Sequence, residues 1–230
     1  NPEYLGSEPW KFEYRPNDGF IDRYCALLGM NDPICLFIGN YDRFSALTGK
    51  WTEISHNETD KGNYLLLDFD KRGIPTIGAN GTMFRSQYLK NAGINDYLFD
   101  IDILAQEIQS HGSVKFIKTK NSIIHLYCGN NISKFIRKQR RRINDLMYYR
   151  QLGTRKYDWN YQTNGISLFI ISTLLIFPLL IQTIVGFIKK PDFAWFFHPS
   201  ACWIGLVINT YGVILGNGNA KVENRSGWSQ

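Results

Sequence analysis

Between Ile77 and Asp102 the chain reads IGANGTMFRSQYLKNAGINDYLFDID, which sets a glycine-punctuated loop, Arg85 and the closely spaced pair Asp100 and Asp102 on one short stretch. Asp100 and Asp102 open a helical pattern. A carboxylate placed there can act as a general base if it comes within hydrogen-bond reach of an acceptor hydroxyl. The simpler reading is that acids are favoured at the positive end of a helix dipole. The loop offers Gly78, Asn80 and Gly81, and glycines let backbone approach a ligand closely because no Cβ intervenes. A second pair, Asp68 and Asp70, follows the apolar Leu65 to Leu67 and imitates a strand-end Asp-x-Asp site for a hard cation holding phosphates. Residues i and i+2 of a strand share a face, so exposed alternation explains that pair equally well.

These groups need elements to hold them. Asn17 or Asp18 can cap a helix whose apolar face is Phe20, Ile21, Tyr24, Leu27 and Leu28. Pro33 suits the first turn of another. NYLLLDFD reads as a strand, and KRGIPTIGANG as a loop. A short helix is predicted from Ser86 to Gly93, and a longer one from about Leu98 to His111, stopped by Gly112. VKFIKTK and NSIIHLY alternate as two further strands. Mixed helices and strands without an internal repeat imply an α/β domain.

Composition narrows the function classes. Cys25, Cys35, Cys128 and Cys202 have neither CxxC nor zinc spacing and read as free thiols. The net charge of +6 is local: nine basic residues lie between Lys134 and Lys156 against one acid, Asp145, so the remainder is net acidic. That run lacks the aromatic interleaving of single-strand binders, which argues against nucleic acid as a partner. The chain opens on Asn1 without a charged and apolar leader, which predicts no signal peptide and a fragment or processed product.

Gly165 to Ile188 carries no charge and Ala194 to Gly216 none either. A helix needs about 20 apolar residues to cross a bilayer, so a hairpin of two transmembrane helices is expected, with Pro178 tolerated inside the first. The basic residues before Gly165 place the preceding domain on the cytoplasmic side. On a helix, NISKFIRKQRRRINDLMYYR aligns Ile132, Phe135, Ile136, Ile143, Leu146 and Met147 on one stripe. Such a helix can lie among lipid headgroups with its cations against phosphates, or it can pack on the domain with a solvated basic face.

The order GANGTMFRS, FDID opening a helix, HGSVKFIKTKNSIIH, FIRKQRRRI and then apolar helices resembles the family 2 glycosyltransferases. The resemblance runs by motif from Gly78 to Arg142. It implies an inverting enzyme with part of a GT-A fold, a nucleotide-sugar donor, a lipid-linked or glycan acceptor, contact with membrane lipids, and a divalent metal, Mg or Mn. It implies residues 1–130 as the C-terminal part of the catalytic domain, 131–160 as a basic interfacial helix and linker, 165–216 as the membrane hairpin and 217–230 as a cytoplasmic tail. The family's Glu-Asp motif falls on Phe99 and Asp100, so Asp100 is the implied base and Asp102 the second choice. Asn80, Gly81 and Arg85 fall on the part of the family's pocket that approaches acceptor and donor phosphate. Gln139 and Arg142 match the Gln-x-x-Arg-Trp motif of processive members, with Ile143 in place of the tryptophan, a departure that speaks against polymer synthesis and is compatible with single-sugar transfer. His125 falls where some members place a histidine near the metal. The nucleotide-binding half with its Asp-x-Asp is expected before the given sequence, since Asp68 lies too close to Gly78 to be that site. The rival reading is a membrane-anchored binding or scaffold module without chemistry.

Overall fold

One strand, β5 (Ser113–Ile124), runs where the sequence pattern suggests two. In this computed structural model, which describes residues 3–78, 80–91, 100–153, 156–157 and 163–219, β5 is the spine of a five-stranded sheet. The other strands are β1 (Tyr4–Glu13), β2 (Asn57–Asp60), β3 (Tyr64–Asp70) and β4 (Met83–Phe84), in the order β2-β3-β5-β1-β4. β3 lies antiparallel to β5 and β1 parallel to it. β1 carries Gly6 and Pro9, residues that weaken a strand, and its register against β5 shifts at Tyr4/Ser7 and at Pro9/Lys11. Those irregularities are what admit a proline inside the sheet.

The helices are α1 (Phe20–Leu28), α2 (Ile34–Ile38), α3 (Ser86–Asn91), α4 (Asp100–His111), α5 (Ile132–Gln151), α6 (Thr163–Leu175), α7 (Phe177–Lys189) and α8 (His198–Asn219), with a 3-10 turn at Phe193–Phe197. α1 forms on the expected apolar face, with Gly19 rather than an aspartate at its cap position. α4 stops at Gly112, whose φ of 85° suits a glycine. The expected stop at Gly93 and start at Leu98 lie outside the described residues. Two cores result. One packs Leu5, Leu67, Phe69 and Phe116 of the sheet against Ile101, Leu104 and Ile108 of α4. The other joins Tyr24 and Leu28 of α1 to Phe135 of α5 and to Trp195 and Phe197.

The expected transmembrane hairpin requires correction, and with it the multi-pass arrangement with a cytoplasmic catalytic domain. Among the described residues no single helix is long and apolar enough to cross a membrane. The uncharged run from Gly165 is broken: α6 and α7 meet at 95°. Pro178 has no amide to continue the helix, and its ring clashes with the carbonyl four residues back. Ile176 turns the chain there with φ 62°. Each arm of 13 residues is about 20 Å long, short of the roughly 30 Å hydrocarbon core. The fold is therefore a mixed α/β domain with eight α-helices among the described residues, not a GT-A portion followed by two crossing helices. α5 forms over the predicted span, but Phe135 and Ile143 of its apolar stripe are buried in the protein. Ile143 sits where a Cβ on Gly212 of α8 would meet it.

Candidate functional site

Strand alternation sends Val114, Phe116 and Lys118 of β5 to the buried face. A lysine there needs a carboxylate, and Glu8 of β1 supplies it. Its Oε1 accepts from Lys118 Nζ, and its Oε2 pairs with Arg43 Nη1 at 2.8 Å. All three side chains are closed to solvent, at 1% exposure or less. Lys118 also lies over the Trp51 ring, 4.1 Å from its centroid. Burial lowers the Lys118 pKa to about 8, with Glu8 opposing the shift.

Arg43 carries this buried charge to the glycine loop. Its Nη2 donates to the carbonyls of Asn80 at 2.7 Å and Gly78 at 3.3 Å. Thr82 Oγ1 donates to the Gly78 carbonyl and lies 3.3 Å from Glu8 Oε2. Gly81 holds φ 75°, and a Cβ on it would stand 2.9 Å from Ile123 Cδ1. The loop is thus fixed through its carbonyls by a guanidinium that is itself held by a carboxylate.

From Arg43 the site continues without a gap. The guanidinium lies 5.2 Å from the Phe12 ring, and Phe12 stacks on His125 at 4.5 Å. His125 Nε2 meets Asn31 Oδ1 at 3.1 Å, and the Asn31 carbonyl accepts from Gln139 Nε2 at 2.5 Å. Burial lowers the His125 pKa, which keeps the ring neutral near pH 7. One turn along α5, Arg142 faces Asp32 and Cys35, and its Nη1 is buried without a hydrogen-bond partner. Burial raises the Asp32 pKa against the pull of Arg142.

The remaining sequence candidates separate from this line. Asp102 Oδ1 accepts the backbone N–H groups of Lys156 at 2.9 Å and Tyr157 at 2.8 Å. Tyr157 OH in turn donates to the Ile74 carbonyl at 2.9 Å, which ties the start of α4 to the entry of the glycine loop. Asp100 is the first residue of α4, and its side chain lies outside the described residues. Ile101 and Ile77 share one buried cluster, so position 100 and the loop flank the same core. Arg85 does not point along the loop: its Nε donates to the Tyr4 carbonyl and its backbone N–H to Leu5. Asp70 is clasped by Arg72 through Nε at 2.8 and 2.9 Å.

A divalent metal fits poorly here. His125 gives its Nε2 to Asn31, and among the described residues no group of three or more His, Cys, Asp or Glu side chains converges. No chemical step is therefore derived through a metal. The sequence reading missed Glu8, Arg43 and Lys118. The signal was present in β5, where the parity that buries Val114 and Phe116 also buries Lys118. Nothing comparable marks Arg43, which lies in an irregular segment. No family model, curated protein or solved structure matches the chain.

Proposed function

We propose that the chain forms the acceptor side of a sugar-transfer site, acting with a nucleotide-sugar donor on a hydroxyl of a lipid-linked or glycan acceptor. The observation that supports this reading is the line of contacts from Gly78 and Asn80 through Arg43, Phe12, His125 and Asn31 to Gln139. It links Gly78, Asn80, His125 and Gln139, residues that the family resemblance singles out and that lie far apart in sequence. In the proposed step Asp100 takes the proton of the acceptor hydroxyl. The oxygen forms a bond to the anomeric carbon, and the bond from that carbon to the diphosphate breaks with inversion. The diphosphate leaves with the electron pair, and the unpartnered Nη1 of Arg142 is the donor that meets its charge.

The test uses the full-length gene product with labelled nucleotide sugars and a polyprenyl phosphate or oligosaccharide acceptor. Asp100→Asn is expected to lower transfer by at least about 100-fold with an unchanged melting temperature. Asp102→Asn is expected to lower the melting temperature, because its carboxylate holds backbone. Turnover retained in Asp100→Asn removes the base, and no transfer by the wild type from any nucleotide sugar removes the reading.

A further inference from the structure

The α6–α7 pair turns most of its apolar residues outward. Ser172, Thr173 and Thr183 are buried toward the protein, with the two threonine hydroxyls returned to the carbonyls four residues back. The outward side is leucine, isoleucine and phenylalanine. At the bend Leu174, Leu175, Ile176 and Phe177 form an unbroken exposed apolar tip, with Leu175 at 65% and Phe177 at 68%, and Ile188 at the far end of α7 is exposed as well. The bases of the two arms are pressed into the domain: a Cβ on Gly165 would meet the Phe37 carbonyl, and one on Gly186 the Trp195 ring. At the end of α7 Lys189 donates to the Leu47 carbonyl, and beyond it Asp192 pairs with Arg23 at 3.4 Å. The pair is a wedge rooted at both ends, with an apolar outer side that continues over the free tip.

We propose that this wedge inserts into one leaflet of an anionic bilayer and returns, without crossing it. Several features favour lipid over a protein partner. The exposed residues of the pair from 164 to 188 are leucine, isoleucine and phenylalanine apart from Asn164 and Ser167. Phe169 and Leu179 face inward together with the hydroxyls of Ser172, Thr173 and Thr183, so most of the apolar residues are left on the outer side. The basic helix α5 packs on α8 beside the wedge and exposes Lys134, Arg137 and Arg140, a charge complementary to acidic headgroups. Phe193, Phe196 and Trp203 are exposed near the wedge base, and aromatic rings favour the headgroup level. Arms of about 20 Å bent by 95° reach into the acyl region but not through it. The inference stands on α5 to α8 alone and does not depend on the sugar-transfer reading.

The test adds the full-length chain to preformed vesicles of phosphatidylcholine and phosphatidylglycerol and separates bound protein by flotation. Wild type is expected to float and to remain bound in high salt. The double substitution Leu175→Glu with Phe177→Glu is expected to cut the bound fraction at least about tenfold with unchanged far-UV circular dichroism. Cysteines placed by Asn164→Cys and by Lys189→Cys, at opposite ends of the wedge, are both expected to react with an impermeant maleimide outside the vesicles. Protection of only one means a crossing and overturns the single-leaflet geometry. Release of the wild type by salt reduces the contact to headgroup charge and overturns insertion. A stable dimer in solution that the double substitution dissolves, with no flotation, assigns the surface to a second copy instead.

Discussion

Glu8→Gln is the sharpest perturbation of the charge cluster that holds the glycine loop. Glutamine keeps the shape and one acceptor but removes the carboxylate charge paired directly with both Lys118 and Arg43 in their solvent-free pocket. Breaking a buried pair from one side costs about 3–5 kcal/mol. The two cations respond differently. Lys118, whose pKa already stands at about 8 with Glu8 present, loses its proton at neutral pH once the carboxylate is gone. Arg43 cannot, although the carbonyls of Asp42, Gly78 and Asn80 still accept from it. The expected loss is therefore near the lower end, about 3 kcal/mol, or roughly 6–12 °C in melting temperature for a chain of this size.

Urea denaturation followed by tryptophan fluorescence measures that loss, and amide hydrogen exchange at Gly78 to Thr82 reports the loosened loop. The pH dependence gives an independent check on sign. A lysine with a folded pKa of about 8 against 10.5 when unfolded binds fewer protons in the folded state across that window. Stability is therefore expected to rise with pH from 8 to 10.5, and Lys118→Met is expected to remove that component of the slope. A loss below about 1 kcal/mol in Glu8→Gln, with unchanged exchange at the loop, refutes the clamp.

Two further perturbations probe the frame. Asp22 Oδ1 accepts the backbone N–H groups of Tyr127, Cys128 and Gly129 at 2.8, 2.5 and 2.8 Å. Asp22→Ala orphans all three and is expected to cost at least about 3 kcal/mol by urea denaturation, with Asp22→Asn losing less; equal effects would show that the three bonds do not act through the carboxylate. Gly81→Ala is expected to cost about 1–2 kcal/mol for its left-handed backbone plus a steric part from Ile123 and Pro9, whereas Gly49→Ala at the same φ of 75° has open space around it. Equal losses in the two variants, by the same titration, would refute the close approach at Gly81.

Where a segment's own pattern decides its state, the sequence reading and the structure agree. α1, β3, the main span of α4 and α5 each carry a periodicity that tertiary contacts reinforce. β1 was invisible because Gly6 and Pro9 speak against a strand locally, and only the parallel ladder to β5 makes them acceptable. β2, four exposed polar residues, exists because β3 offers it an edge. The division of β5 at Asn121 failed for the same reason: pairing with β1 continues to Ile124 and carries the chain past the polar residues. In the site, Gln139 and Arg142 are singled out only by their match to the Gln-x-x-Arg-Trp motif of the family the sequence resembles. Their partners Asn31 and Asp32 sit in a turn between short helices, where no period points to them.

The misreading of the apolar run has a physical cause beyond its length. A hydropathy window counts uncharged residues but is blind to direction, and α6 and α7 differ from a spanning helix in direction alone. Pro178 can sit within a spanning helix when neighbouring groups satisfy the freed carbonyls. Here Ile176 N–H bonds to Ser172 and the amides of Leu179 and Leu180 bond back to Ile176, so the backbone is satisfied by starting a new helix at an angle. In α5 the pattern itself allows either lipid or the domain, and the neighbouring apolar run is what favours lipid. Burial of Phe135 and Ile143 in protein settles that stripe on the domain side and leaves Lys134, Arg137 and Arg140 exposed. In both segments, the faces turned toward the domain decide which surface remains exposed: aliphatic residues on the outer side of α6 and α7, cations on α5.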